Sequence, residues 1–147
     1  MPTRRAVLLA LPLLLAGPAV AADLARFRWQ NRLLLVSAPE AADPDLAAQR
    51  AIVATHADAL RDRDMVTVEV VGDFVRIDGA VTPMDAATLR AHYRLDVGAF
   101  TALLIGKDGG TKLRQSKPLT ADQLFPTIDA MPMRRQEMRE RGQEAWR

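Results

Sequence analysis

The residues whose types and spacing could do chemistry fall into four groups. The first is the glycine-rich run Gly106-Lys107-Asp108-Gly109-Gly110. A Walker-type phosphate cradle needs its lysine after the second glycine, at the start of a helix. Here Lys107 precedes Asp108-Gly109 and a strand pattern follows, so the run reads as a tight hairpin turn. The second group is Lys112, Arg114 and Ser116, alternating with Leu113 and close to Lys107 and Lys117. Two readings stand for it: an anion-binding strip, or an edge strand guarded against aggregation by charge. The third is the pair of histidines, His56 and His92, each inside an expected helix and without a second ligand at i+3 or i+4. Zinc-type pairs are therefore missing, and no metal site is expected. Ser37 could join either histidine and an aspartate, but nothing in the spacing fixes a triad, and there is no GxSxG elbow. The fourth group is Met131-Pro132-Met133-Arg134-Arg135, with Glu137 three residues past Arg134 and four before Arg141. It reads either as an exposed, charge-laddered helix end or as a clasp. In the clasp, Arg134 reaches back to Asp129 or Asp108 and fixes the helix against the hairpin, while Met131 and Met133 offer a soft partner surface.

Cysteine is absent from the 147 residues, which excludes a disulfide framework, a thiolate nucleophile and a CxxC redox pair. Apolar residues make up 49% and charged residues 26%, the balance of a globular chain with one core. No cofactor motif is present. Stability must come from packing.

Residues 1–22 have the three zones of an export leader. Arg4 and Arg5 form a basic start, Ala6–Ala16 is apolar apart from Pro12, and Gly17-Pro18 precedes the small residues Ala19-Val20-Ala21-Ala22. The apolar run is shorter than the ~20 residues a bilayer span requires. Cleavage after Ala21 or Ala22 is expected, and an uncleaved anchor is the alternative. Thr3-Arg4-Arg5-Ala6-Val7-Leu8 leaves both the general secretory and the twin-arginine routes open. Without residues 1–22 the chain holds 18 basic and 18 acidic side chains, so no global field attracts a polyanion and nucleic acid is not an expected partner. The expected location is periplasmic or secreted, with no stable membrane span after processing.

The elements that must position these groups follow from local pattern. Arg32–Ser37 is a continuous apolar run suited to a buried strand. Asp43-Pro44 caps a helix extending to about Asp62, and Met65–Val71 reads as a second buried strand. Phe74–Ile77 is a short extra strand candidate closed by Asp78-Gly79, and Thr82–Asp85 opens a helix through about Tyr93. Phe100–Ile105 is a third strong strand, and Thr111–Ser116 returns as its hairpin partner. Thr120 and Gln123 form a capping box for a last helix. A crossover helix makes the first two strands parallel, and the short turn makes the last two antiparallel. The expected architecture is α/β: a thioredoxin-like three-layer fold, with a four-stranded mixed sheet and helices on both faces. Its divisions are a leader at 1–22, the domain at 23–133 and a charged helical tail at 134–147.

Three blocks carry a resemblance. Trp29-Gln30-Asn31-Arg32 before the first strand, Leu104–Gly110 with Lys112 and Arg114, and Ile128–Arg134 with Glu137 resemble domain-of-unknown-function family 4174 over nearly all of the chain after the leader. The resemblance implies a small exported protein, related to domains of animal sushi-repeat and extracellular-matrix proteins and distantly similar to thioredoxins and peroxiredoxins. It implies no activity. Placed on a thioredoxin, Ser37–Ala41 would stand where the CxxC motif lies and Thr101 where the cis-proline lies. Both halves of a dithiol site are missing, so thiol–disulfide exchange is excluded. The leading expectation is a non-catalytic module that binds a protein or envelope component. The alternative is an enzyme with a non-thiol site around Thr101, Ser37 and nearby basic groups, acting on a small anionic or oxidised substrate.

Overall fold

The computed structural model describes residues 22–146; the leader-like segment lies almost wholly outside them. A short helical turn, α1 (Ala22–Ala25), leads into β1 (Arg32–Ala38), α2 (Pro44–Thr55), α3 (Ala57–Asp62) and β2 (Met65–Val71). The hairpin β3 (Phe74–Ile77) and β4 (Ala80–Thr82) follows, then α4 (Ala86–Tyr93). A second hairpin, β5 (Thr101–Ile105) and β6 (Thr111–Gln115), precedes α5 (Ala121–Asp129) and α6 (Pro132–Glu144). The strands form one sheet in the order β4-β3-β2-β1-β5-β6. Only β1 and β2 are parallel; every other neighbouring pair is antiparallel.

Among the described residues the sheet has six strands, not the four expected. Ala80–Thr82 is too short to show alternation in sequence. It becomes a strand because Asp78 and Gly79, both at positive φ, reverse the chain tightly enough to pair it with β3. β3 in turn takes the free edge of β2. The helix expected from Pro44 to Asp62 is likewise two helices, broken at His56, whose ring stands edge-on to Phe125 at 5.6 Å. Pro132 starts α6 as a separate helix, because a proline fits the first helical position but not an interior one.

β1 is central, and all seven of its residues are buried. Its alternate side chains feed two cores. Leu33 and Leu35 join Val68, Val70, Leu103 and Ile105 beneath Ala86 and Leu89 of α4. Leu34 and Val36 join Ala102 and Leu104 beneath Leu46 of α2, Leu60 of α3 and Leu124 and Ile128 of α5. Burying both faces of a sheet is what selects unbroken apolar runs over alternating ones. Caps read from sequence are in place. The Asp43 carboxylate accepts from the amides of Asp45 (2.9 Å) and Leu46 (3.1 Å), and Thr120 and Gln123 form the reciprocal box. Buried Gln49 ties α2 to the segment before α5, donating to the Leu119 carbonyl at 3.0 Å and accepting from its amide at 2.7 Å. Among the described residues, no helix is long and apolar enough to cross a membrane.

Candidate functional site at the amino-terminal pole of β1

The start of β1, the start of β2 and the end of β5 meet at one pole of the sheet. Three chain segments close over it: the turn before β1, the β5–β6 turn, and α6 with the residues leading into it. The turn before β1 is held by the Trp29 amide, which donates to the Lys107 carbonyl at 2.7 Å; Trp29 itself sits at φ 67°. The β5–β6 turn is closed by the Gly106 amide donating to the Gly110 carbonyl and the Gly109 amide to the Gly106 carbonyl, both at 2.9 Å. Gly109 has φ +83°, the conformation glycine adopts without strain. Asp108 accepts from the Gly110 amide (2.9 Å) and from Lys112 Nζ (2.8 Å). The Lys112 hydrogen bond, aided by that amide, holds the Asp108 carboxyl below the usual carboxylate range.

Charged side chains from distant parts of the sequence interlock here. Arg32, 1% exposed, donates from Nη1 and Nη2 to the two oxygens of Glu137 (both 3.2 Å) and from Nη1 to the Arg63 carbonyl (2.9 Å). Lys107, also buried, donates to Glu137 (2.7 Å) and Asp64 (2.8 Å). Arg134, 4% exposed, donates to Asp129 (3.2 Å), to the Asp62 carboxylate (2.5 Å) and to the Asp62 carbonyl (2.9 Å). Arg63 holds Asp129 through Nε (3.0 Å) and Nη2 (2.8 Å), and Arg141 adds a further contact to Asp62. The first turns of α6 are thereby docked on the pole, and the boundary expected at 133 falls inside this helix. Such pairs do not add stability in proportion to their number, because each ion loses its hydration, but removing one partner strands the others.

Three carboxylates of this cluster, Glu137, Asp129 and Asp62, are held below their ordinary range. Burial pushes Glu137 upward, but hydrogen bonds from Lys107 and Arg32 outweigh it and leave the carboxyl below its ordinary range. Asp129 shows the same opposition, between burial and Arg63 with Arg134, and the Arg134 hydrogen bond lowers Asp62. Groups depressed in the folded state contribute stability that is present above their unfolded pKa, near 4, and lost as pH falls through the folded value. Thermal stability should therefore be flat near neutrality and fall below about pH 4. Glu137→Gln should flatten that fall, as scans of melting temperature against pH would show.

The structure brings together Gly106, Lys107, Asp108, Gly109, Gly110, Lys112, Asp129, Met131, Pro132, Met133, Arg134 and Glu137 at or beside this pole. Arg134 reaches Asp129, not Asp108. Arg114 stands apart: it donates to the carbonyls of Tyr93 and Arg94 at the end of α4, while Lys112 falls in a bulge of β6 and turns toward Asp108. Lys112→Ala with Arg114→Ala should cost no more than ~1 kcal/mol in urea titrations, because both contacts are exposed. Sequence reasoning did not single out Asp62, Arg63 and Asp64. The alternating charges of Arg61-Asp62-Arg63-Asp64 between a helix and a buried strand were the available signal. The histidines lie apart, His56 against Phe125 and His92 against Tyr93, and Ser37 is fully buried in β1.

What the cluster leaves at the surface is a groove of about 280 Å³, lined by Trp29, Met131, Pro132 and Met133 together with Gly106 and the charged Arg32, Lys107, Asp108 and Lys112. Trp29, one of these lining residues, is 63% exposed. Among the described residues, no cluster of three or more histidine or carboxylate side chains could hold a metal ion.

The chain is 32% identical to coiled-coil domain-containing protein 80 of Danio rerio over 135 residues, covering 78% of this chain and 15% of that protein. It is 32% identical to sushi repeat-containing protein SRPX of Rattus norvegicus over 123 residues, covering 80% of this chain and 26% of the relative, and equally so to the human counterpart. The chain thus spans about a quarter or less of the length of these relatives. Residues 23–137 match the family described as Domain of unknown function (DUF4174), a span that takes in the Trp29 turn, the β5–β6 turn and the docked half of α6, and the chain belongs to that family.

Proposed function

We propose that this protein is an exported, thioredoxin-like domain that acts as a non-catalytic binding module for another protein or an envelope component. The order β2-β1-β5-β6, with β1 and β2 parallel and helices on both faces, supports the thioredoxin-like reading, with β3–β4 added at the β2 edge. The leader pattern of residues 1–22 supports a periplasmic or secreted location, and the mass of the purified protein should place its N-terminus at Ala22 or Asp23. We place the domain at about residues 23–133 and the end of the chain as a charged helical extension whose first turns are docked on the pole.

One observation carries the binding role. The charged side chains at the pole are engaged with one another and brace α6, and the groove they support presents a mostly apolar surface instead of a reactive cleft. The chemistry weighed against it, a non-thiol site around Ser37 and Thr101, would need Ser37 to meet substrate, yet that side chain is fully buried in the central strand. The long relatives, in which the matching region is a small part, are also what a reusable module predicts. The test is affinity capture from the exported fraction with the immobilised chain from residue 23. A partner enriched over a neutral control protein is expected. Absence of any partner, together with turnover of a small anionic or oxidised compound, would overturn the reading.

A further inference from the structure

Arg32, which lines the groove at the pole, carries an unused donor. A guanidinium carries five N–H donors in two flat edges. In Arg32, Nη1 and Nη2 meet Glu137 end-on, and the remaining Nη1 hydrogen goes to the Arg63 carbonyl. Nε, though buried, has no acceptor. That leaves the side edge, Nε–H with the second Nη2–H, whose spacing matches the two oxygens of a carboxylate. Arg32 lines the groove.

The charge balance agrees. The interlocked cluster contains Arg32, Arg63, Lys107, Arg134 and Arg141 against Asp62, Asp64, Asp129 and Glu137, so one positive charge is uncompensated. Lys112 and Asp108 beside it cancel each other. The groove that Arg32 lines is also lined by Met131, Pro132 and Met133 and by the exposed indole of Trp29. Methionine and tryptophan adapt to and anchor apolar side chains of a protein partner.

We propose that this groove receives a carboxylate carried on an apolar stretch of a partner protein, the carboxylate pairing with the free edge of Arg32 and the flanking side chains packing on Trp29 and Met133. The proposal rests on the binding-module reading and names its site and ligand chemistry. It requires both parts: the charge for orientation, and the apolar flanks because an exposed ion pair alone holds little.

The test uses tryptophan fluorescence of the purified protein carrying Trp146→Phe, which leaves Trp29 as the reporter. Three pools of acetylated pentapeptides, with flanks drawn from Leu, Val and Phe, are titrated. The first has a central Glu and an amidated end, the second a central Gln and a free C-terminal carboxylate, and the third a central Gln and an amidated end. Saturable change is expected with the first or second pool and at least tenfold weaker binding of the third; which of the first two binds tells whether the carboxylate belongs to a side chain or a chain end. Met133→Glu should abolish the response by repulsion, and Arg32→Lys, which keeps a charge for Glu137 without the second edge, should weaken it at least tenfold. Phe74→Ser, at a separate exposed apolar position, should not change it. Equal binding of all three pools, no saturation with any of them, or a Met133→Glu protein that binds normally would overturn the proposal. Capture repeated with Met133→Glu separates the two levels. A partner retained by that variant leaves the module standing with a different site, whereas capture that fails with the unaltered protein removes the module reading itself.

Discussion

Replacing Glu137 by alanine is expected to destabilise the protein by about 3–5 kcal/mol, the range for removing one member of a buried ion cluster. Glu137 is the acceptor shared by Arg32 and Lys107, two cations that are almost wholly out of solvent. Without it, Arg32 retains only the Arg63 carbonyl and Lys107 only Asp64. Both cations would have to be rehydrated, which means undocking the start of α6 from the pole. Glu137→Gln should cost less than the alanine change, because an amide oxygen still accepts hydrogen bonds while lacking the charge. Urea titrations give the measurement. A smaller urea slope in the alanine variant would indicate that α6 is already released in the folded state. A loss under 1 kcal/mol with unchanged slope would show that the cluster is solvated in solution, and the docked helix end would have to be abandoned.

Gly109→Val should cost about 1–3 kcal/mol, as expected for a β-branched residue forced to positive φ. Two effects act at this position and differ in size. An added Cβ would lie 2.9 Å from Arg28 Nη2, but that is the far end of a flexible side chain and can move. The backbone cannot, because φ +83° is fixed by the turn that joins β5 to β6. Gly109→Asn, which tolerates left-handed backbone, should therefore recover more than half of the loss. If valine and asparagine were equally harmful, contact with Arg28 would be the dominant cost and not the backbone. The turn also supplies the carbonyl of Lys107 that holds Trp29, so the valine variant should perturb the groove as well as the fold.

Local structure was legible wherever the deciding partners lie within a few residues. Asp43-Pro44 at the start of α2, the Thr120–Gln123 box and the glycine turn at 106–110 each depend on hydrogen bonds or φ values inside one short segment. The buried runs in β1, β2 and β5 were legible because a strand covered on both faces has no polar positions to alternate with. The β3–β4 extension was only half visible. Phe74–Ile77 has strand composition, but the pairing that makes Ala80–Thr82 a strand comes from a neighbour, not from its own three residues.

The sequence by itself therefore determined the sheet's central strands, the caps and turns that connect them, and the absence of thiol chemistry from a chain without cysteine. It also marked Lys107, Asp129, Arg134 and Glu137 as members of two distinctive blocks, without saying what they do. Tertiary structure decided that. Arg32 and Glu137 are 105 positions apart, and Arg134 and Asp62 are 72 apart. Nothing local distinguishes Arg134, which is buried, from its neighbour Arg135, which is exposed. The physical reason is that a charge's role depends on how much solvent it loses and which partners replace that solvent, and both are set by segments that meet only when the sheet closes.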